Sequence, residues 1–364
     1  MNIAHSRVLD RARKTAITAV ALLAASLIVV AQPGRAAASG SPCGASINPI
    51  VCENSQTSGV TSQSVWDVKG AGDSSIQGFT TDISANTGGT VTFKIKTAAT
   101  RYTIDIYRLG YYNGNGARRQ AATITVNNSA RNQPACRFDS KTSLVDCGNW
   151  AVSASWAVPS TAASGVYVAK LIRSDTRGAS LIAFVVRNDA STSDIVYQTS
   201  DETWEGYNRY GGYNFYTGSA TNEWDNTTRA RKLSYNRPFI TRGDDSGRSF
   251  LFSNEYPTIR FLERNGYDVS YMSGVDVDRY GSLLTHHRAF LSVGHDEYWA
   301  GAQRANVQAA RDAGVNLMFL SGNEVFWHTR FEASIDGSNT AYRTLVCYKE
   351  TWDDAATDPG GTTA

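Results

Sequence analysis

The sequence predicts a multidomain protein: an N-terminal immunoglobulin-like β-sandwich, then an open, mostly parallel α/β sheet in three layers. Three observations lead there. Short apolar–polar alternations between turn residues fill the stretch from Val65 to about Val186. From Ile195 onward, compact apolar runs alternate with helical stretches, the rhythm of strands joined by crossover helices. Two of the later runs lead into glycine and a cluster of polar residues, where sites form in open α/β sheets.

Two segments precede the sandwich. Arg7, Arg11, Arg13 and Lys14 stand before the apolar run Thr15–Ala31, and Arg35-Ala36-Ala37-Ala38-Ser39 offers small residues for cleavage. This is the pattern of a signal peptide over residues 1–38, without the arginine pair of the twin-arginine route. Secretion is expected, with a soluble mature protein, since no other segment is apolar enough to span a bilayer. Residues 39–64 are rich in Ser, Gly, Thr and Asn and read as an irregular entry segment. Export permits disulfides. Cys43 and Cys52, and Cys136 and Cys147, are close enough in sequence to close small loops. Cys347, inside an apolar run, reads as a buried inert thiol.

In the sandwich, residues 65–190, Val91, Phe93 and Ile95 alternate with polar neighbours, as do Tyr102, Ile104 and Ile106. Val166, Val168 and Leu181–Val186 supply further strands, with Gly88-Gly89, Asn113-Gly114 and Ser164-Gly165 as turns. The α/β part, residues 191–364, opens with a strand at Ile195-Val196-Tyr197. A helix over Asn254–Asn265 stops at Gly266. Strand Val269–Met272, a helical or loop crossover over Val277–His286 and the apolar strand Ala289–Val293 follow. A helix is expected over Trp299–Ala313, then a buried strand Val315–Leu320 and a last strand Thr344–Cys347.

Composition narrows the function classes. The chain is 41% hydrophobic and 19% charged, a globular balance. A formal net charge of +2 argues against charge-driven binding of nucleic acid or anionic membrane. No zinc-site spacing is present.

The chemistry concentrates at strand ends. One apolar run leads into Gly294-His295-Asp296-Glu297-Tyr298-Trp299 and the next into Ser321-Gly322-Asn323-Glu324. Gly294 and Gly322 allow sharp turns there. His295 and Glu297 are two apart and share a face of an extended strand end. A His and a carboxylate so placed serve as base and orienter, or as metal ligand and supporting partner. The competing structural reading is a capping network, with Asp296 or Glu297 satisfying amides at the next helix start. A third segment, Thr203–Tyr216, carries Tyr207, Tyr210, Tyr213 and Tyr216 after the first α/β strand. It reads as a sugar platform, as phenolate ligation of ferric iron, or as surface-loop aromatics.

These three segments, with the Ser321 segment continuing through Val325-Phe326-Trp327, together resemble the large subunit of N,N-dimethylformamidase and its exported actinobacterial relatives. Tyr107–Tyr112 and Cys147-Gly148-Asn149-Trp150 look like those relatives too. The resemblance implies a mononuclear iron held by two tyrosines and a glutamate, placed on Tyr207, Tyr216 and Glu297, with Tyr210 and Tyr213 as rivals. His295 and Asn323 match residues beside the substrate, as proton carrier and carbonyl holder. The family continues past residue 364, where a further carboxylate and an aromatic pocket residue would lie, so the sheet is expected to be incomplete there. The cytoplasmic formamidase works with a small subunit, so a small subunit or a homo-oligomer is the assembly to look for. The expected function is an exported iron (Fe3+)-dependent hydrolase of carbon–nitrogen bonds acting on a small amide. The alternatives are a secreted carbohydrate- or surface-binding protein and an inactive truncated relative.

Overall fold

The computed structural model describes residues 47–127, 133–218, 227–243, 247–350 and 356–360. The expected signal peptide and Cys43 lie outside them. Over these residues the chain is a mixed, β-rich fold with several sheets, few helices and no barrel. None of the described helices is long and apolar enough to cross a membrane.

The first half contains helices α1 (Pro49–Ser55) and α2 (Gln63–Trp66) and twelve strands. These are β1 (Val60–Thr61), β2 (Ile76–Thr80), β3 (Ser84–Asn86), β4 (Thr90–Thr97), β5 (Arg101–Leu109), β6 (Ala117–Arg119), β7 (Ile124–Asn127), β8 (Arg137–Asp139), β9 (Leu144–Asp146), β10 (Ala154–Ala157), β11 (Gly165–Arg173) and β12 (Ala179–Arg187). One sheet runs β1-β6-β5-β11-β12-β3, with β7 also on β5; a second runs β10-β4-β2; β8 pairs with β9. The period of two along β11 explains how they stack. Tyr167, Ala169 and Leu171 join Ile76, Phe93, Ile104 and Phe184 in a core between the two sheets. Val166 and Val168, on the other face, join Tyr197, Trp204, Tyr271 and Leu291 from the second half. The strand is nearly all apolar because both of its faces are covered. Cys136 and Cys147 are disulfide-bonded, and Cys52 is also in a disulfide.

The second half contains strands β13 (Ile195–Thr199), β14 (Lys232–Ser234), β15 (Val269–Ser273), β16 (Ala289–His295), β17 (Tyr298–Ala300), β18 (Asn316–Gly322), β19 (Trp327–Glu332) and β20 (Thr344–Val346). Its helices are α3 (Asp201–Gly206), α4 (Leu251–Asn254), α5 (Tyr256–Arg264), α6 (Gly274–Arg279) and α7 (Gly301–Asp312). A parallel sheet runs β15-β13-β16-β18, and a second sheet runs β14-β20-β19-β17. Alternation again sorts the faces of the parallel sheet. Tyr197, Tyr271 and Leu291 face α4, α5 and the N-terminal sheet, while Val196, Met272 and Phe290 face α6 and α7. In α5, Pro257 lies in the first turn, and Tyr256, Ile259, Leu262 and Glu263 form its buried stripe. The chain leaves α5 through Gly266 at φ +71°.

Three expectations need correction. The helix expected from Trp299 starts at Gly301, because Tyr298–Ala300 is drawn into parallel pairing with β19. The strand expected to be buried at Val315–Leu320 is β18, at the edge of the parallel sheet. Met318, Phe319 and Leu320 are 42%, 43% and 56% exposed, since no described strand pairs with the outer side of β18. Finally, the last expected strand, β20, does not extend the parallel sheet but joins the second one.

Candidate functional site

Two tyrosines are brought together by one asparagine. Tyr207 caps the C-terminal end of α3, and Tyr216 lies in the irregular segment that follows. Asn214 Nδ2 donates to the Tyr207 carbonyl (3.1 Å), while its Oδ1 accepts from the amides of Tyr216 (2.8 Å) and Thr217 (2.7 Å). The amide of Phe215 donates to the Gly206 carbonyl (3.0 Å). The two phenol rings stack at 4.7 Å.

Glu297 arrives from the end of β16. Gly294 turns the chain at φ +89°, and a Cβ there would lie 2.5 Å from the Asn254 Cβ. Gly294→Ala is therefore expected to cost at least about 1–3 kcal/mol, which urea unfolding will measure. At the neighbouring strand end the turn is made by Asn323 (φ 55°) and Val325 (φ 53°), not by Gly322 as expected from sequence. The Glu297 amide donates to Thr203 Oγ1 (2.9 Å), and its carbonyl accepts from the Trp327 amide (2.9 Å).

The side chains of Tyr207, Tyr216 and Glu297 then meet at one point. Glu297 Oε2 accepts from the Tyr207 hydroxyl (2.7 Å) and Oε1 from the Tyr216 hydroxyl (2.5 Å); the two hydroxyls are 3.1 Å apart. Trp327 Nε1 donates to Oε1 (3.1 Å). His295 Nε2 lies 3.1 Å from Oε2 and 3.0 Å from Asn323 Nδ2. Tyr216 and Glu297 are buried, Tyr207 and His295 are partly exposed and Asn323 is exposed, so the cluster opens on the His295–Asn323 side. Behind it, Tyr298 donates to the Tyr216 hydroxyl (2.6 Å) and Lys349 Nζ to the Tyr298 hydroxyl (2.9 Å).

The electrostatics are uneven. Burial opposes ionisation of Glu297, but hydrogen bonds from His295 and Tyr216, and the Lys349 charge, outweigh it and hold its carboxyl below the usual range. Burial, with the Glu297 charge, pushes both phenols well above their ordinary value. Burial also brings the Lys349 ammonium down to about 7, against the pull of Cys347 and Glu297. The cluster thus holds one carboxylate and two protonated phenols.

Tyr210 packs edge-on against Trp150, and Tyr213 stacks on Phe138, whereas the hydroxyls of Tyr207 and Tyr216 donate to Glu297. Trp204, Phe215 and Tyr216 are buried, while Tyr207, Tyr210 and Tyr213 are half-buried and Gly211 is exposed, so the two ends of Thr203–Tyr216 are packed and its middle reaches the surface. The start of α7 is capped by Asp278, which accepts from the Gln303 amide, and by the Gln303 side chain, which accepts from the Ala300 amide. Asp296 and Glu297 do not cap it; Asp296 accepts instead from Gln198 and Ser292. Cys347 is buried, and burial pushes its thiol up to about 12. Two clefts of about 480 and 460 Å3 share Ala300, Gly301 and His328. The register Tyr298↔Trp327 and Trp299↔His328 puts His328 on the strand face opposite Tyr298 and Trp327, so these clefts open away from the cluster. Tyr298 and Trp327 stood inside the sequence motifs without a role assigned, and Lys349 carried no motif at all.

Among the described residues there is no group of three or more His, Cys, Asp or Glu suited to a metal ion, so a metal centre built from them would need donors of other types as well. The phenol–phenol–carboxylate set fits a hard trivalent cation. Its oxygens lie 2.5–3.1 Å apart, and neighbouring ligands on a small ion with bonds near 2 Å sit about 2.9 Å apart. Two phenolates and a carboxylate balance three positive charges with hard oxygen donors.

Three solved structures show remote similarities. An uncharacterized protein from Bacillus anthracis str. Ames matches at 14% identity over 28% of this chain and 75% of its own, with a TM-score of 0.17. An AA10 lytic polysaccharide monooxygenase from Streptomyces lividans matches at 19% identity over 28% and 56%, with a TM-score of 0.18. A family 123 glycoside hydrolase from Clostridium perfringens matches at 10% identity over 34% and 27%, with a TM-score of 0.15. Scores this low carry no weight for fold or function. No curated protein matches. The family model for "N,N-dimethylformamidase beta subunit-like, C-terminal" matches residues 103–364, well over half of the sequence and all of the tyrosine–glutamate cluster, and the chain belongs to that family.

Proposed function

We propose that this protein is an exported, iron-dependent hydrolase of carbon–nitrogen bonds acting on a small amide. The observation that carries the proposal is the meeting of Tyr207, Tyr216 and Glu297 within 3.1 Å beside His295 and Asn323. Family membership supports it. Ferric iron held by those three residues supplies a Lewis acid that polarises a carbonyl and acidifies water.

The rest is the work of the chain itself. His295 Nε2 has a partner in either protonation state: protonated it donates to Glu297, and unprotonated it accepts from Asn323. A ring supported on both sides of the transfer is suited to moving a proton at Nε2. The Asn323 amide stands at the open side, where it can hold the carbonyl oxygen as charge develops there. Burial of Tyr216 and Glu297 shields that side of the cluster from bulk water.

We further infer that the paired N-terminal sheets are an immunoglobulin-type sandwich, that the parallel sheet belongs to an α/β catalytic part, and that the leader directs secretion. Assembly with a second copy or with a small subunit is expected, and sedimentation of the purified chain distinguishes the two.

The test is metal analysis with visible absorption of the full chain supplied with iron. One iron per chain and a tyrosinate-to-iron charge-transfer band are expected. A colourless, metal-free protein would sink the proposal. His295→Gln should retain iron and the band while lowering kcat by about 10²–10⁴-fold, the usual contribution of a positioned proton carrier.

A further inference from the structure

The two phenols of the cluster have different surroundings. The Tyr216 oxygen accepts from Tyr298 (2.6 Å), and the Tyr298 oxygen accepts from Lys349 (2.9 Å). Tyr298 and Lys349 are fully buried. Lys349 Nζ also lies 3.4 Å from the centroid of the Tyr216 ring and 4.6 Å from that of Trp327. The Tyr207 hydroxyl faces Glu297 and Tyr216, with the Arg248 charge acting on it, and its ring packs beside the His295 imidazole.

The backbone holds this line in place. Pairing of β17 with β19 sets Tyr298 beside Trp327. Gly206 leaves room for the Tyr298 ring, since a Cβ there would lie 2.7 Å from it. Phe215 packs on the other side at 5.2 Å.

We propose that Tyr298, backed by Lys349, is a positioning residue that makes the two phenolate ligands unequal by donating a hydrogen bond to the oxygen of Tyr216 alone. The proposal rests on the ferric reading of the site. A hydrogen bond to the charged form of a group favours that form. A cation over an aromatic face adds to it. Were a cation to replace the Tyr216 proton, which would leave to solvent, the Tyr298 donor is already aimed at the phenol oxygen and no rearrangement is needed. The electrons on that oxygen are then held lower in energy than those on Tyr207. Charge transfer from Tyr216 to ferric iron therefore takes more energy than from Tyr207, and the visible band is a sum of two displaced components.

The experiment compares the visible spectra and iron contents of wild type, Tyr298→Phe and Lys349→Met, each as the full chain loaded with iron. Tyr298→Phe is expected to retain iron and to shift the Tyr216 component to longer wavelength, narrowing the band. Lys349→Met should shift it in the same direction by less, because the Tyr298 hydroxyl remains. An iron-loaded Tyr298→Phe protein with the wild-type spectrum overturns the proposal and leaves the iron site standing. If Tyr298→Phe does not fold, Lys349→Met decides by the same criterion. Absence of any band in iron-supplied wild type overturns the site reading and this proposal with it.

Discussion

Glu297→Gln is expected to leave the purified protein nearly free of iron and to lower amide hydrolysis by more than about 100-fold. The size follows from the count of partners. The Glu297 carboxylate accepts from Tyr207, Tyr216 and Trp327 and lies beside His295 Nε2. An amide of the same shape sets an N–H against one of those donors and removes the charge that draws the cation in. Residues that merely support a metal ligand are worth about 10–100-fold, so a proposed ligand should exceed that. Metal analysis and turnover of the variant check it, with circular dichroism to show that the fold persists. Iron at the wild-type level in Glu297→Gln would rule out the assigned ligand set. Loading the wild type should also acidify an unbuffered solution, since the phenols must shed protons to bind.

The largest effect on stability is expected at Glu263, far from the cluster. This residue of α5 accepts from Arg108 Nη1 (3.0 Å) and Nη2 (2.7 Å), from Asn54 Nδ2 (2.8 Å) and from the Tyr271 hydroxyl (2.9 Å). The side chains of Arg108 and Glu263 are both fully buried. Losing one member of a buried ion pair leaves the other charged and unpaired, which costs about 3–5 kcal/mol. Glu263→Gln should therefore lower the free energy of unfolding by that order, as read by urea titration. A double variant, Arg108→Met with Glu263→Leu, should recover a good part of the loss, because an apolar pair leaves no buried charge. If the single variant unfolds at the wild-type denaturant concentration, this link is not a mainstay of the fold.

Much of this arrangement was legible in the sequence where local pattern and tertiary demand agree. Alternation in β4 and β5 announced half-buried strands, and the α5 stripe with Gly266 announced a helix and its stop. His295 and Glu297 were readable as one face because a strand end has period two. What was not legible depended on neighbours distant in sequence. Trp327-His328-Thr329-Arg330-Phe331-Glu332 has no apolar run, yet it forms β19, held by β17 on one side and β20 on the other. Leu317–Leu320 looks like a core strand, but its apolar content says nothing about which place in the sheet it takes. Lys349 is an isolated residue whose burial against Tyr216 and Trp327 follows only from the way β20 delivers the chain. The choice of Tyr207 and Tyr216 over Tyr210 and Tyr213 depended on Asn214, whose side chain ties the two segments together.

The double-sided burial of β11 has a thermodynamic corollary. Val166 and Val168 share one core with Trp204 and Leu291, and Tyr167 and Leu171 share another with Phe93. Trp204 lies in α3, the helix that ends at Tyr207. Melting of the N-terminal sheets therefore strips the support from one side of the tyrosine pair. Any ion or ligand that binds only the intact cluster must, by mass action, raise the temperature at which those distant sheets come apart. A fluorophore in β4, which touches nothing at the cluster, would serve as a thermometer for its occupancy.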